Sequence, residues 1–231
     1  MKRIALLFEN DEIRVFDKPA GLAVQGGEGI RVSLDSLLAA EYQPRPLLVH
    51  RLDRDASGLI LTAKNREAAA RYSRLFAGEK SFSPADAAAS GCGLVKQYRA
   101  LCAGTPPADA GLIQLGLDIR GVEKRARTAY RRLAGNGDFS LLELELGTGR
   151  MHQIRRHLAQ TGNPILGDDK YGDFALNKEL RKTMGLRRLL LHAFRLVIPP
   201  AVTGRDAPLE INAPQPEYFS PFLALFPGKA P

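Results

Sequence analysis

The chain has 231 residues, enough for one large domain or two small ones, and 45% of them are hydrophobic, as is ordinary for a globular protein that buries a core. The net charge is +8, and 23 arginines outnumber 10 lysines, so we expect a polyanionic partner; a basic enzyme without such a partner is the alternative. The N-terminal apolar run, residues 4–8, is too short for a signal peptide or a membrane span. Cys92 and Cys102 lack the Cys-x-x-Cys spacing, which predicts free thiols in a soluble, cytoplasmic protein.

The first third of the chain predicts short strands and one helix. Residues 4–16 predict two strands around the turn-like residues 9–12, and Asp17-Lys18-Pro19-Ala20-Gly21 ends the second strand because proline and glycine interrupt the ladder. A helix is predicted from Ser33 to Tyr42.

The stretch from His50 to Asn65 combines a polar loop with a buried strand. Its first nine residues hold two arginines, two aspartates, a serine and a glycine, and Leu59-Ile60-Leu61 predict a strand covered on both faces. Such a loop holds a carboxylate among cations on a rigid base. A salt-bridged loop without chemistry is the alternative.

The middle of the chain predicts one helix, a long loop and a strand. Asn65 can cap a helix of about ten residues with Ala69, Tyr72 and Phe76 on one face. Residues 78–95, rich in Gly, Ser and Ala, predict a mobile loop, and residues 96–101 predict a strand.

The densest basic run of the chain precedes its clearest alternating strand. Either a solvated face or a phosphate-contacting surface fits the run, which comprises Arg120, Lys124, Arg125, Arg127, Arg131 and Arg132. Leucines at 142, 144 and 146 alternate with glutamates, which predicts a half-buried strand. A helix is predicted from Arg150 to Gln160, with Met151, Ile154 and Leu158 on one face.

Several of these segments, in this order, resemble the RluA family of pseudouridine synthases. The resemblance covers roughly residues 13–199 and is strongest in the active-site loop His50-Arg-Leu-Asp-Arg-Asp-Ala-Ser-Gly58 and in Thr148-Gly-Arg-Met-His-Gln-Ile-Arg155. It extends to residues 17–27, to Lys96-Gln-Tyr-Arg-Ala100, to residues 162–172 and to Leu189-Leu-Leu-His-Ala193. Met151 departs from the family, which usually has Thr or Ser there, and residues 78–95 are longer than the usual connection.

The resemblance implies a fold, a domain and an activity. The fold is α+β: a mixed, mainly antiparallel sheet flanked by helices, forming a single catalytic domain over residues 1–231. Many relatives carry an N-terminal S4 domain for RNA binding; only 16 residues precede Asp17, so we expect no S4 domain here. The implied activity is isomerisation of uridine in RNA to pseudouridine, which gains and loses no group and needs no cofactor or metal.

Three residues match the family's catalytic positions. Asp53 is the nucleophile, or assists elimination at the sugar. Arg155 pairs with Asp53 and keeps it ionised, since a carboxylate in a dry site needs a partner. Tyr98 stacks under the uracil and handles the C5 proton.

A second set of residues is predicted to bind RNA. A base inside a stem must flip out, and Arg51 matches the residue that fills the vacated stack. Phosphate or nearby RNA contacts are expected from His50, Arg125, Arg127, Arg150, His152 and Gln153.

Other classes of protein compete with this prediction. Asp53 and Asp55 could serve a glycosidase, but cations crowd the site and the chain has no tryptophan for sugar stacking. The four histidines do not show metal-ligand spacing, since His152 and His157 are five apart. A non-catalytic RNA-binding ribosome-assembly factor is the third alternative. We expect a monomer that acts on large-subunit ribosomal RNA, with transfer RNA as the runner-up substrate.

Overall fold

The computed structural model describes residues 3–78, 93–119 and 121–227. Most of the predicted loop at 78–95, together with Cys92 and Arg120, lies outside the described residues. The chain divides into two compact units: unit 1 comprises residues 1–96 and 193–214, and unit 2 comprises residues 97–192 and 215–231. The single catalytic domain therefore stays a prediction. Within the described ranges, no helix combines the length and apolar character needed to cross a membrane.

The first part of unit 1 contains four strands and two helices. They are β1 (Ala5–Glu9), β2 (Ile13–Lys18), α1 (Leu34–Glu41), β3 (Leu47–Leu48), β4 (Ser57–Ala63) and α2 (Arg66–Ala77). Asn65 caps α2 as predicted, because its Oδ1 accepts a hydrogen bond from the backbone N–H of Ala68 at 2.8 Å.

Unit 2 contains six strands and two longer helices. They are β5 (Val95–Ala103), β6 (Ala110–Ile113), β7 (Leu117–Ile119), β8 (Val122–Lys124), β9 (Thr128–Gly135), β10 (Phe139–Leu146), α3 (Gln153–Gln160) and α4 (Phe174–Thr183). The chain then returns to unit 1 with β11 (Leu191–Ile198), α5 (Pro200–Thr203) and β12 (Leu209–Asn212). A 3₁₀ turn (Glu217–Phe219) and α6 (Ser220–Leu223) complete unit 2.

Both units are built on antiparallel pairing. In unit 1, β2 lies between β1 and β4, β3 also pairs with β4, and β12 pairs with β11. In unit 2, β10 lies between β5 and β9, β6 pairs with the other edge of β9, and β7 and β8 form a separate hairpin. Every pairing whose register is described here is antiparallel, and the predicted α+β class with a mainly antiparallel sheet is confirmed.

The core of unit 1 supports the predicted active-site loop. All seven residues of β4 are buried, as the unbroken apolar run predicted. They pack with residues of β2, α2, β11 and β12, among them Ile13, Val15, Leu59, Leu61, Tyr72, Leu196, Ile198 and Ile211. The loop that carries Asp53 therefore leads into a strand whose residues are all buried.

The prediction for the start of α3 is wrong by one turn. The helix begins at Gln153, not at Arg150, because His152 adopts a left-handed conformation with φ 52° and ψ 30°. Met151 thus lies before the helix and is 50% exposed, whereas Ile154 and Leu158 are buried as predicted. The sequence did not predict α4, which Asp173 caps through a hydrogen bond from the Leu176 N–H.

Candidate active site

In unit 1, His50 fixes the start of the active-site loop to β4. Its Nε2 accepts a hydrogen bond from the backbone N–H of Leu61 at 2.9 Å, and its ring stacks on Phe76 with centroids 3.9 Å apart. Burial and the nearby Lys96 lower the pKa of His50 to about 3, so the ring is neutral and able to accept this bond. His50 therefore has a structural role in the loop, and RNA binding by this half-buried residue stays a prediction.

Lys18 fastens the middle of the same loop. Its side chain is fully buried at the end of β2, and Nζ donates to the carbonyl oxygens of Pro19 and Leu22 at 2.9 Å and of Arg54 at 3.0 Å. Arg54 lies between Asp53 and Asp55, and its carbonyl also accepts the N–H of Gly21 at 2.9 Å. Two donors, Lys18 Nζ and the Gly21 N–H, thus join the turn after β2 to the Arg54 carbonyl beside Asp53.

The charge of Lys18 belongs to the electrostatics of the loop. Burial lowers the pKa of Lys18 to about 8, and the carboxylates of Asp55, Asp53 and Asp17 partly oppose that shift. The sequence analysis missed Lys18 as a site residue. One feature of the sequence could have identified it: Lys18 ends a predicted strand and is followed immediately by Pro-x-Gly.

The remaining residues of the loop differ in exposure. Leu52 and Ala56 are buried, Asp53 is half-buried and Arg51 is exposed. Asp53 thus lies on a backbone anchored at both sides, whereas Arg51 is accessible. Their catalytic and RNA-stacking roles stay predictions.

In unit 2, Arg155 is nearly fully buried on α3 and is held by Asp168. Its Nε donates to Oδ2 of Asp168 at 2.8 Å and its Nη2 to Oδ1 of Asp168 at 2.7 Å, which is a bidentate pair. Nη2 also reaches Asp169 at 3.2 Å, and the guanidinium lies 5.4 Å from the centroid of the Tyr171 ring. The sequence analysis quoted Asp168 within a motif but gave it no role.

Asp168 is buried yet ionised. Burial raises the pKa of its carboxyl, but hydrogen bonds from Arg155 and from the N–H groups of Tyr171 and Lys170 outweigh it, so the pKa lies below the usual value. Tyr98, the third predicted catalytic residue, is half-buried on β5 and lies opposite Leu144 of β10.

Gln153 is buried in a network of hydrogen bonds and not at the surface. Its Oε1 accepts from the Thr148 hydroxyl at 2.6 Å and from the Arg150 N–H at 3.1 Å, and its Nε2 donates to the Arg127 carbonyl at 2.8 Å and to Thr128 Oγ1 at 3.0 Å. Both ends of the Gln153 amide are thus engaged within the protein, and RNA binding by this residue stays a prediction. Its amide joins the start of β9 to the turn before α3.

His157 continues this network. Its Nδ1 lies 3.0 Å from Thr128 Oγ1 and its Nε2 lies 3.1 Å from the Leu115 carbonyl oxygen. Since a carbonyl only accepts, Nε2 carries the proton and Nδ1 accepts from Thr128. Burial lowers the pKa of His157, in keeping with a neutral ring, and both nitrogens are engaged by protein groups.

His152 stands apart from that network. Its Nδ1 lies 3.1 Å from the hydroxyl of Tyr171, and it is half-buried. A left-handed backbone costs a non-glycine residue of order 1–3 kcal/mol, and such residues cluster at functional sites. RNA binding by His152 stays a prediction.

The basic run divides into a paired half and an accessible half. Arg131 donates to Glu143 at 2.9 Å, and Arg132 donates to the Pro106 carbonyl and pairs with Asp109. Arg125 is exposed and Arg127 half-buried, and neither forms an ion pair with any residue that the structure describes. Arg150 lies beside them, since its Nε donates to the Arg125 carbonyl at 3.3 Å.

Comparisons with known proteins show which family the chain is similar to. The family model described as RNA pseudouridylate synthase matches residues 12–160. "Ribosomal large subunit pseudouridine synthase C" of Rickettsia prowazekii (strain Madrid E) is 35% identical over 224 residues, covering 90% of this chain and 68% of that protein. The protein of the same name from Salmonella typhi is 34% identical and covers 97% of this chain and 70% of that protein.

A solved structure shows the same fold. "Human RNA Pseudouridylate Synthase Domain Containing 4" superimposes with a TM-score of 0.75 at 25% identity, covering 95% of this chain and 91% of that one. Both motifs with the strongest resemblance, residues 50–58 and 148–155, lie inside the family match. The chain therefore belongs to the RNA pseudouridylate synthase family, of the RluA type, and is an isomerase that converts uridine in RNA to pseudouridine.

Proposed function

We propose that this enzyme isomerises specific uridines of large-subunit ribosomal RNA. The observation that carries the proposal is the similarity to two large-subunit ribosomal enzymes across at least 90% of this chain. The net charge of +8 and the accessible arginines at 125, 127 and 150 are compatible with a large RNA substrate. That the enzyme is cytoplasmic and monomeric stays a prediction.

We infer that Asp53, Tyr98 and Arg155 carry the chemistry. The reaction breaks the bond from ribose C1′ to uracil N1 and joins C1′ to C5, so the proton on C5 must move. Asp53 would act at the sugar, either by attack on C1′ or by assisting elimination. Two anchors, Lys18 on the Arg54 carbonyl and His50 on the Leu61 N–H, favour this role because they fix the backbone on both sides of Asp53.

Arg155 and Tyr98 would act on the carboxylate and on the base. The buried guanidinium of Arg155 is a preorganised donor suited to orienting Asp53. Tyr98 would stack on the uracil and handle the C5 proton. Arg51, exposed two residues before Asp53, would fill the stack that the flipped base leaves.

The test is to map pseudouridine in ribosomal and transfer RNA from cells with the gene, without it, and complemented with Asp53→Asn. We expect one or a few sites in large-subunit RNA that vanish without the gene and are not restored by the variant. Loss of sites in transfer RNA alone would assign the runner-up substrate. Unchanged modification in both RNAs would contradict the proposal.

A further inference from the structure

We propose that Asp168 is a positioning residue for isomerisation, which acts by fixing the orientation of the Arg155 guanidinium. This proposal rests on the role of Arg155 in the proposed function. The resemblance to the family implied no role for Asp168, and the contacts that support such a role all lie in unit 2.

The first step is the geometry of the pair. Asp168 binds Nε and Nη2 of Arg155 at 2.8 and 2.7 Å, so both bonds lie along one edge of the planar guanidinium. The ring of Tyr171 lies over that guanidinium, 5.4 Å from its carbon. One edge and one face of the guanidinium group are therefore fixed.

The second step is that Asp168 is itself immobilised. Its Oδ1 accepts the N–H groups of Lys170 and Tyr171, both at 2.9 Å. Asn177 of α4 donates to the Asp168 carbonyl at 3.0 Å and accepts the Gly167 N–H at 2.8 Å. A side chain at Gly172 would overlap the Asp168 carbonyl, so the turn closes tightly around the carboxylate.

The third step concerns energy and charge. A buried ion pair repays its desolvation only with good geometry, and apolar residues of similar volume often stabilise as well. Stability alone therefore explains this pair poorly. Asp168 offsets the positive charge of Arg155. The pair therefore serves mainly to hold the guanidinium, a hydrogen-bond donor, in one orientation.

Asp169 provides a matched control on the same guanidinium. Its carboxylate also reaches Nη2, at 3.2 Å, but its side chain is 79% exposed and makes one contact where Asp168 makes two. Asp168→Asn and Asp169→Asn make the same chemical change beside the same arginine. Only the first should release the edge of the guanidinium.

The experiment measures single-turnover rates at saturating RNA together with RNA affinity. We expect Asp168→Asn to lower the rate about 100-fold, the cost of a misplacement near 1 Å, with affinity within about threefold. Asp169→Asn should stay within about threefold in both. An Asp168→Asn rate within threefold of the wild type would overturn the proposal and leave the proposed function intact.

A double-mutant cycle separates positioning from a general structural effect. In an Arg155→Lys background, which keeps the charge but loses the planar fork, Asp168→Asn should lower the rate by less than about threefold more. If the two losses multiply instead, Asp168 does not act through Arg155, and the proposal is wrong.

A second variant covers the case in which Asp168→Asn does not fold. Asn177→Ser loosens the turn around Asp168 without removing a buried charge, and we expect it to slow the reaction about tenfold at unchanged affinity. A wild-type rate in a folded Asn177→Ser variant would contradict the proposal in that case. An inactive wild-type enzyme on every RNA tested would instead contradict the proposed function. A last measurement does not depend on activity: the ¹⁵N NMR resonance of the Arg155 Nε–H, which donates to Asp168. We expect this proton to exchange slowly with solvent in the wild type and in Asp169→Asn, and rapidly in Asp168→Asn.

Discussion

Lys18 in unit 1 and Arg155 in unit 2 are both buried cations, but they are held in different ways. Lys18 donates to three backbone carbonyl oxygens and keeps its charge near the loop carboxylates, whereas Arg155 donates to a buried carboxylate that offsets its charge. A lysine that binds several carbonyl oxygens anchors the backbone, while a carboxylate that binds an arginine through two hydrogen bonds orients its planar side chain. The first arrangement positions a loop of unit 1, and the second orients a side chain of unit 2.

The largest expected effect is on Asp53, which precedes the residue whose carbonyl Lys18 binds, Arg54. Asp53→Asn keeps the shape of the side chain and removes the nucleophile, so isomerisation should be abolished while RNA affinity stays within tenfold, about 1.4 kcal/mol. Turnover and binding by the purified variant are the measurements, and Asp55→Asn is the control in the same loop. Substantial turnover by Asp53→Asn would remove Asp53 from its role.

The next effect concerns the stability that Lys18 provides. Lys18→Met leaves three carbonyl oxygens without their donor, and we expect a loss of ~2–4 kcal/mol in the free energy of unfolding at pH 7. Lys64→Met is the matched control, because Lys64 also donates to a carbonyl but is partly exposed, and it should cost under ~1 kcal/mol. If urea unfolding gives equal losses of free energy for Lys18→Met and Lys64→Met, the burial of Lys18 does not increase its contribution to stability.

The pH dependence of the free energy of unfolding, measured for the wild type and for Lys18→Met, tests the buried charge of Lys18. The folded pKa of Lys18, about 8, lies below its ordinary value near 10.4, so between these values the unfolded chain binds more protons than the folded chain. The cost of burying the charge is complete below pH 8 and is relieved as the pH rises through it. The stability of the wild type relative to Lys18→Met should therefore grow from about pH 8 to pH 10.

Asp168 should show the opposite dependence on pH. Its folded pKa is lowered, so the stability it contributes is present above its unfolded value near 3.9 and is lost as the pH falls through the folded value. On acidification below about pH 4, the wild type should lose stability faster than Asp168→Asn does. The free energies of unfolding of both proteins are measured in urea from pH 7 to pH 2.5. If the two fall in parallel with pH, Asp168 is not ionised in the folded protein.

The smallest effect concerns the two halves of the basic run. Arg125→Glu with Arg127→Glu should weaken RNA binding and lower the salt slope by about two units, one for each phosphate contact, with single-turnover chemistry nearly intact at saturating RNA. Arg131→Glu with Arg132→Glu makes the same change in charge where the arginines already have partners. If both pairs change the slope equally, only net charge matters and the accessible half is a solvated face.

The sequence predicted elements better than it predicted partners. The run Leu59-Ile60-Leu61 identified β4, and Asn65 identified the start of α2, because both signals are local. The left-handed His152 that delays α3 has no such signal, since it depends on the turn that Gln153 stabilises.

Site residues show the same limit. Motifs quoted from the chain included Lys18 and Asp168, but their importance lies in contacts with residues 36 and 13 positions away, Arg54 and Arg155. The motifs likewise did not show that His50 and Gln153 form hydrogen bonds inside the protein, to the Leu61 N–H and to the Arg127 carbonyl. Tertiary packing turned both toward backbone groups.

The hydrogen-bond network around Gln153 has a single polarity, and that restricts which residues can replace its members. Thr148 donates to Gln153, Gln153 donates to Thr128, and Thr128 donates to the neutral His157, whose other nitrogen donates to Leu115. Each hydroxyl both gives and receives a hydrogen bond, since Thr148 also accepts the Arg127 N–H. Serine could therefore replace either threonine. Valine, of nearly the same shape, has no hydroxyl and would break the chain of hydrogen bonds that joins the start of β9 to α3.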